Sequence, residues 1–154
     1  MQKTNLSVDF GGKTYVGFAF EELPLAAAQL LACRQIDQAA DAARRAVLGE
    51  SLRALEYQVT AEEAAAFAAA DYSGEVPPSV QAWMDAAGLE AQAATDSILA
   101  QAAAWKSALY ELRALRLKAK QQVLKAASHD SVEALTDPAI EAIHACVKGV
   151  GNAN

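Results

Sequence analysis

The chain has 154 residues, of which 53% are hydrophobic and only 6% aromatic, and its formal net charge is −6. This length fits one domain or a compact core with an extension, and the acidic balance disfavours nucleic acid and anionic membrane surfaces as partners. Alanine supplies 38 residues, and because alanine favours helix but buries little area, we expect helices around a thin core.

The amino-terminal segment predicts a β-hairpin. Apolar and polar residues alternate on both sides of Gly11-Gly12, a pair that is typical of a two-residue turn. We expect residues 1–22 to form this arm and residues 23–154 to form a helical domain. A lone hairpin is marginally stable in water, so the face of Phe10, Phe18 and Phe20 is expected to pack on the chain's own helices or to dock on a partner.

Alanine-rich helices are predicted after Pro24. The first extends to about Tyr57, with Gly49 as a candidate interruption. The run Thr60-Ala61-Glu62-Glu63 has the pattern of a capping box, which predicts the start of a short helix that ends near Ala70.

The second half begins with a proline-bounded segment. Pro77-Pro78 and Gly88 predict a short helix over residues 79–87, and residues 89–127 form the longest helical run, with a near-heptad apolar stripe broken at Arg116. Asp137-Pro138 predicts the cap of a final helix. The expected fold is therefore mainly α: an N-terminal β-hairpin followed by an antiparallel bundle of long Ala-rich helices.

No residue set in the sequence points to catalysis. Of the two histidines, His129 and His144, only His144 has candidate ligands nearby, Glu141 and Cys146, and residues two apart on a helix point to different faces, which disfavours a metal site. No phosphate loop or nucleophile elbow is present. We therefore expect no enzymatic activity, no catalytic residues, no metal and no cofactor. Cys33 and Cys146 indicate either reduced thiols in a cytosol or a disulfide.

Basic residues crowd the longest helix, where Glu111 is the only acid among them. They form either a solvated face that neutralises the acidic helices or a strip that binds an acidic partner. The basic residues are Lys106, Arg113, Arg116, Lys118, Lys120 and Lys125.

Between residues 36 and 126 the sequence shares a pattern with a known family. The carrying segments are Ile36-Asp37-Gln38-Ala39-Ala40-Asp41-Ala42-Ala43-Arg44, Leu55-Glu56-Tyr57, Val76-Pro77-Pro78-Ser79-Val80-Gln81-Ala82-Trp83, Ile98-Leu99-Ala100, Trp105, Leu109-Tyr110 and Arg113-Ala114-Leu115-Arg116-Leu117-Lys118. This stretch, more than half of the chain, resembles the tail-fibre assembly proteins, or chaperones, of phages and prophages. Such proteins are commonly encoded beside the tail-fibre gene. The hairpin lies outside the resemblance.

The resemblance implies a chaperone that binds the phage tail-fibre protein and aids its folding, trimerisation or attachment, in the cytoplasm of the bacterial host or in the virion. The alternatives are a structural tail component, such as a helical adaptor or homo-oligomer, and a small acidic regulator that binds a host protein. Neither nucleic acid nor a membrane is an expected partner. The expected partner-binding residues are Phe10, Val16, Phe18, Phe20, Tyr72, Val76, Trp83, Trp105, Leu109, Arg113 and Arg116.

Overall fold

The computed structural model describes residues 1–48 and 51–150. The protein is mainly α-helical with an antiparallel β-hairpin at its amino terminus, which confirms the expected fold class. The elements are β1 (Leu6–Phe10), β2 (Lys13–Phe18), a 3-10 turn (Phe20–Glu22), α1 (Leu25–Leu48), α2 (Ser51–Ala69), α3 (Pro78–Ala87), α4 (Ala91–Val123) and α5 (His129–Cys146). None of the helices in these ranges has an apolar stretch long enough to cross a membrane.

The hairpin turns at Gly11 and Gly12, as predicted. Both glycines have positive φ angles, 60° and 75°, which a residue with a Cβ adopts only with strain. Gly17 also has a positive φ, 78°. Its neighbours Val16 and Phe18 pair with consecutive residues of β1, so Gly17 is an extra residue that forms a β-bulge.

The buried side of the hairpin differs from the prediction. Leu6 and Val8 of β1 are buried, whereas Val16 is 68% exposed and Phe18 is 37% exposed. The two-residue turn pairs Val16 with Ser7, and this register places both on the solvent side. Phe18 pairs with Leu6 on the buried side but stays partly exposed, so β1 supplies most of the apolar contacts of the hairpin with the core.

The chain divides into two compact units. The first contains Met1–Arg44 and Tyr110–Lys148, and the second is formed mainly by Arg45–Leu109. The predicted boundary between residues 22 and 23 falls inside the first unit, because the buried hairpin residues share one hydrophobic core with residues of α1, α4 and α5.

In the first unit, α1 and α4 run antiparallel, as predicted. Gln29 Nε2 donates to the carbonyl oxygen of Ala126 at 2.9 Å, and Cys33 Sγ lies 3.8 Å from the carbonyl oxygen of Lys120. Residue numbers therefore increase along α1 as the numbers of their contacts in and after α4 decrease, which is the pattern of antiparallel helices. Small buried residues of α1, including Ala32, belong to the hydrophobic core that α1 shares with α4.

The last helix of the first unit corrects a predicted start. α5 begins after Ser128, whose side chain accepts a hydrogen bond from the Ser131 backbone N–H, and it continues through Pro138. The predicted cap at Asp137-Pro138 is therefore wrong. Proline removes one helical hydrogen bond, but the carbonyl that loses its donor belongs to Ala134, an exposed residue that water can reach.

In the second unit, α2 passes through Thr60 without interruption, so the predicted helix start there is wrong. Glu63 instead contacts the start of α3, where its Oε2 accepts the backbone N–H of Ser79 at 3.0 Å. It thereby satisfies a first-turn donor of α3 that has no partner within that helix. The predicted interruption at Gly49 lies outside the described residues.

The short helix α3 matches its prediction. It begins after Pro77 and ends at Gly88, whose left-handed backbone (φ 65°) closes the helix. Val80 is fully buried in the core of the second unit, against which Trp83 and Met84 pack as half-buried residues.

Candidate interaction surfaces

The outer side of the hairpin exposes one apolar residue, Val16, among the polar residues Ser7, Asp9 and Thr14. Val16 is 68% exposed there. Tyr15 and Phe18 pair with Val8 and Leu6 on the other side, where their rings meet edge-on with 5.4 Å between centroids. The sheet has two strands in the ranges that the structure describes. The outer edge of each strand therefore presents backbone donors and acceptors that another strand can pair with.

The other two predicted hairpin contacts face the core. Phe10 is half-buried against the hydrophobic core of the first unit. Phe20 is 2% exposed and its ring packs edge-on against that of His129 at 5.6 Å. Phe20 is thus a core residue and offers no surface to a partner.

The outer face of α4 carries a second exposed surface, which we name the α4 stripe: Tyr110, Leu117 and Leu124. Their exposed fractions lie between 42% and 63%. The seven-residue spacing places them on one side of the helix, and the backbone N–H of Leu124 still bonds to the Lys120 carbonyl just beyond the assigned end of α4. The opposite side of the same helix is buried through Leu112.

Five of the six residues of the predicted basic strip fall into two groups. Arg113, Lys118 and Lys125 are exposed around the α4 stripe. Arg116 and Lys120 instead reach Asp37 of α1, with N–O distances of 2.8 and 2.6 Å. Arg116, predicted as a partner contact, is therefore engaged within the chain.

Asp37 is half-buried between these two cations. Loss of solvent opposes its ionisation, but the hydrogen bonds and charges of Lys120 and Arg116 outweigh that effect and hold the pKa of the carboxyl below its usual value. The break in the apolar stripe at Arg116 is thus an ion-pair position that links α1 and α4.

A third exposed surface lies on α2, and we name it the α2 stripe: Leu52, Leu55 and Val59. These side chains are 43% to 77% exposed, and steps of three and four residues place them on one helix face. Glu56 and Glu62, both exposed, border this face on its two edges.

The predicted contacts near the proline-bounded segment are partly used within the second unit. Tyr72 is half-buried and its Oη donates to Asp96 Oδ1 at 2.7 Å, which raises the pKa of the phenol. Val76 and Trp83 pack against the second core. Trp83 Nε1 is buried and has no hydrogen-bond acceptor in the described part of the chain.

Farther along α4, Trp105 is half-buried, and its ring meets that of Tyr57 edge-on at 5.7 Å. Leu109 is exposed. Of the eleven predicted contacts, the most accessible are Val16, Phe18, Leu109 and Arg113.

None of the residues of the two helical stripes is among the predicted contacts. These residues are Leu52, Leu55, Val59, Tyr110, Leu117 and Leu124. Tyr110, Leu117 and Leu124 recur every seven residues, a signal that was readable but lies on the same helix as the stronger core pattern. The α2 stripe was hidden by the predicted helix start at Thr60.

Reactive groups are sparse in the described ranges. No group of three or more histidine, cysteine or acidic residues could hold a metal ion there. Cys33 and Cys146 are free thiols, and burial raises the pKa of each. A raised thiol pKa keeps the group protonated and weakly nucleophilic near neutrality.

Comparison of the chain with family models, with curated proteins and with solved structures gave no match.

Proposed function

We propose that this protein is a phage or prophage tail-fibre assembly chaperone. It binds an unassembled fibre chain and covers apolar surface that otherwise aggregates before the fibre trimer forms. Its place of action is the cytoplasm of the bacterial host.

The observation that carries this proposal is the two-sided hairpin. Leu6 and Val8 anchor one side in the core of the first unit, while Val16 remains 68% exposed on the other. A hairpin held in this way needs no partner for its own stability, yet it offers the exposed Val16 side chain and the strand edges to one.

The resemblance of residues 36–126 to tail-fibre assembly proteins supports the choice of partner. It covers the proline-bounded segment, which builds the core of the second unit through Val80 and Trp83. The hairpin lies outside the resemblance, so fibre binding through Val16 is a separate part of the proposal.

The direct test is co-expression of the fibre protein encoded beside this gene, with and without the chain. We expect a higher yield of soluble, trimeric fibre when the chain is present. Equal yields in both cultures would contradict the proposed function.

A structural tail component is the second candidate function. The exposed stripes on α2 and α4 favour it, because such surfaces suit permanent contacts in an assembly. Mass spectrometry of purified particles separates the two candidates: a chaperone is absent or substoichiometric, whereas a tail component is present in fixed proportion to the other tail proteins.

A further inference from the structure

We propose that copies of this protein associate with one another, the α2 stripe of one copy packing on the α4 stripe of the next. This inference does not depend on the fibre as a partner. It rests on two exposed apolar faces of the same chain. They match in spacing and length, and the charges around them are opposite.

The spacing of both stripes suits helix–helix packing. On α4 the apolar side chains recur every seven residues, and on α2 Leu52 and Val59 are also seven residues apart, with Leu55 between them. This is the repeat with which one helix inserts side chains between those of another. Exposed Ala66 continues the face of α2, so residues 52–66 and 110–124 each extend about 21 Å.

The charges around the two stripes are opposite. α2 carries three glutamates and a single basic residue, Arg53, and Glu56 and Glu62 border its stripe. From residue 110 onward, α4 and the residues next to it expose Arg113, Lys118 and Lys125 against one acid. Packing α2 on α4 therefore brings carboxylates toward ammonium and guanidinium groups.

The same charges disfavour pairing between like stripes. Two α4 stripes would bring Arg113 and Lys118 of one copy toward those of the other, and two α2 stripes would bring Glu56 toward Glu62. Like charges at a contact reduce affinity. The contact is therefore head-to-tail, which leaves an unused stripe at each end and allows further copies to add or a ring to close.

The test is the mass of the protein in solution, measured by sedimentation across the micromolar range in about 0.15 M salt, which screens the net charge of each copy over about 8 Å. We expect the mass to rise above that of one chain as concentration increases. A single-chain mass at every concentration would overturn the proposal.

Two serine variants separate head-to-tail contact from pairing of like stripes without changing net charge. Leu55→Ser with Val59→Ser removes the α2 stripe, and Leu117→Ser with Leu124→Ser removes the α4 stripe. Each variant alone should remain a single chain, and an equal mixture should form a one-to-one complex through the two stripes that remain. All four positions are exposed, so the helical circular-dichroism signal and melting temperature should be retained.

Either variant forming dimers alone would show that like stripes pair, and a mixture without complex would show that the stripes do not meet; both results overturn the proposal.

The contribution of charge to the contact is tested by a second pair of variants with matched changes in net charge. Arg113→Glu with Lys118→Glu should abolish the increase in mass. Lys13→Glu with Arg34→Glu, which makes the same change in net charge at exposed positions on the hairpin and on α1, should leave it. If both variants lose the increase in mass equally, general repulsion between the more negative copies explains the loss, and the proposed contact is contradicted.

Discussion

Asp37 is the residue at which sequence and fold are most closely linked. It accepts hydrogen bonds from Arg116 and Lys120 across the antiparallel pair of α1 and α4. The interruption of the apolar stripe at Arg116 was visible in the sequence, but its partner lies 79 residues away. Local patterns do not identify such a partner, and this explains why Arg116 was assigned to an external contact.

The first prediction concerns the contribution of this pair to stability. Asp37→Asn keeps the shape of the side chain but removes its charge, and the half-exposed setting limits the effect, so we expect a loss of about 1–2 kcal/mol in the free energy of unfolding. Urea denaturation measures it. Asp41→Asn is the matched control, because its ion pair with Arg44 lies within one turn of α1 at the surface, and the expected loss is below about 0.5 kcal/mol.

The second prediction follows from the lowered pKa of Asp37. A carboxyl whose pKa is lower in the folded chain than its ordinary value of 3.8 stabilises the fold above that value and loses the effect as the pH falls through the folded-state pKa. The difference in unfolding free energy between the wild type and Asp37→Asn should therefore be constant at neutral pH and shrink below pH 3.8. A difference that grows on acidification would contradict this assignment.

The third prediction concerns Trp105, which is half-buried against Tyr57. Trp105→Ala should lower the free energy of unfolding by about 1–2 kcal/mol, less than the roughly 3–5 kcal/mol typical of a fully buried aromatic residue. A double-mutant cycle with Tyr57→Ala should give a coupling of about 0.5–1.5 kcal/mol. Zero coupling would show that the rings do not interact in solution.

At the scale of elements, local sequence signals predicted the type of each element better than the residues at which helices begin and end. Gly11-Gly12 and Gly88 gave the hairpin turn and the end of α3, because each stands at a positive φ that glycine adopts without strain. The helix starts predicted at Thr60 and at Asp137-Pro138 were wrong, because capping and helix-breaking signals act only when tertiary contacts do not override them. Here Glu63 caps another helix, and buried residues on both sides of Pro138 hold α5 together.

The fourth prediction tests the proline inside α5. Pro138→Ala restores a backbone hydrogen bond and removes the crowding of the ring against the preceding turn, while the chain loses the restriction that proline places on the unfolded state. We expect a net gain of about 1–2 kcal/mol in unfolding free energy, measured by urea denaturation. A loss of stability would show that the helix requires the local bend that proline produces.

For the whole molecule, composition predicted a thin core and the structure shows how the remaining apolar surface is distributed. Alanines fill much of the contact face of α1, while large residues such as Val16, Leu55 and Leu117 stay exposed. Sequence periodicity predicted the main apolar stripe of α4. A second, weaker face on the same helix was not separable from it, because burial depends on which elements meet in the fold.

The central claim is that the protein acts through exposed apolar side chains, with Val16 on the outer hairpin face as the fibre contact. The most direct measurement is the amount of fibre protein that co-purifies with the tagged chain when Val16 is replaced by Asp. Gln38→Asp, an exposed position on α1, is the matched control. We predict that Val16→Asp reduces the co-purified fibre at least about tenfold, a loss of about 1.4 kcal/mol in binding, while Gln38→Asp retains it. Equal recovery with both variants would contradict the claim.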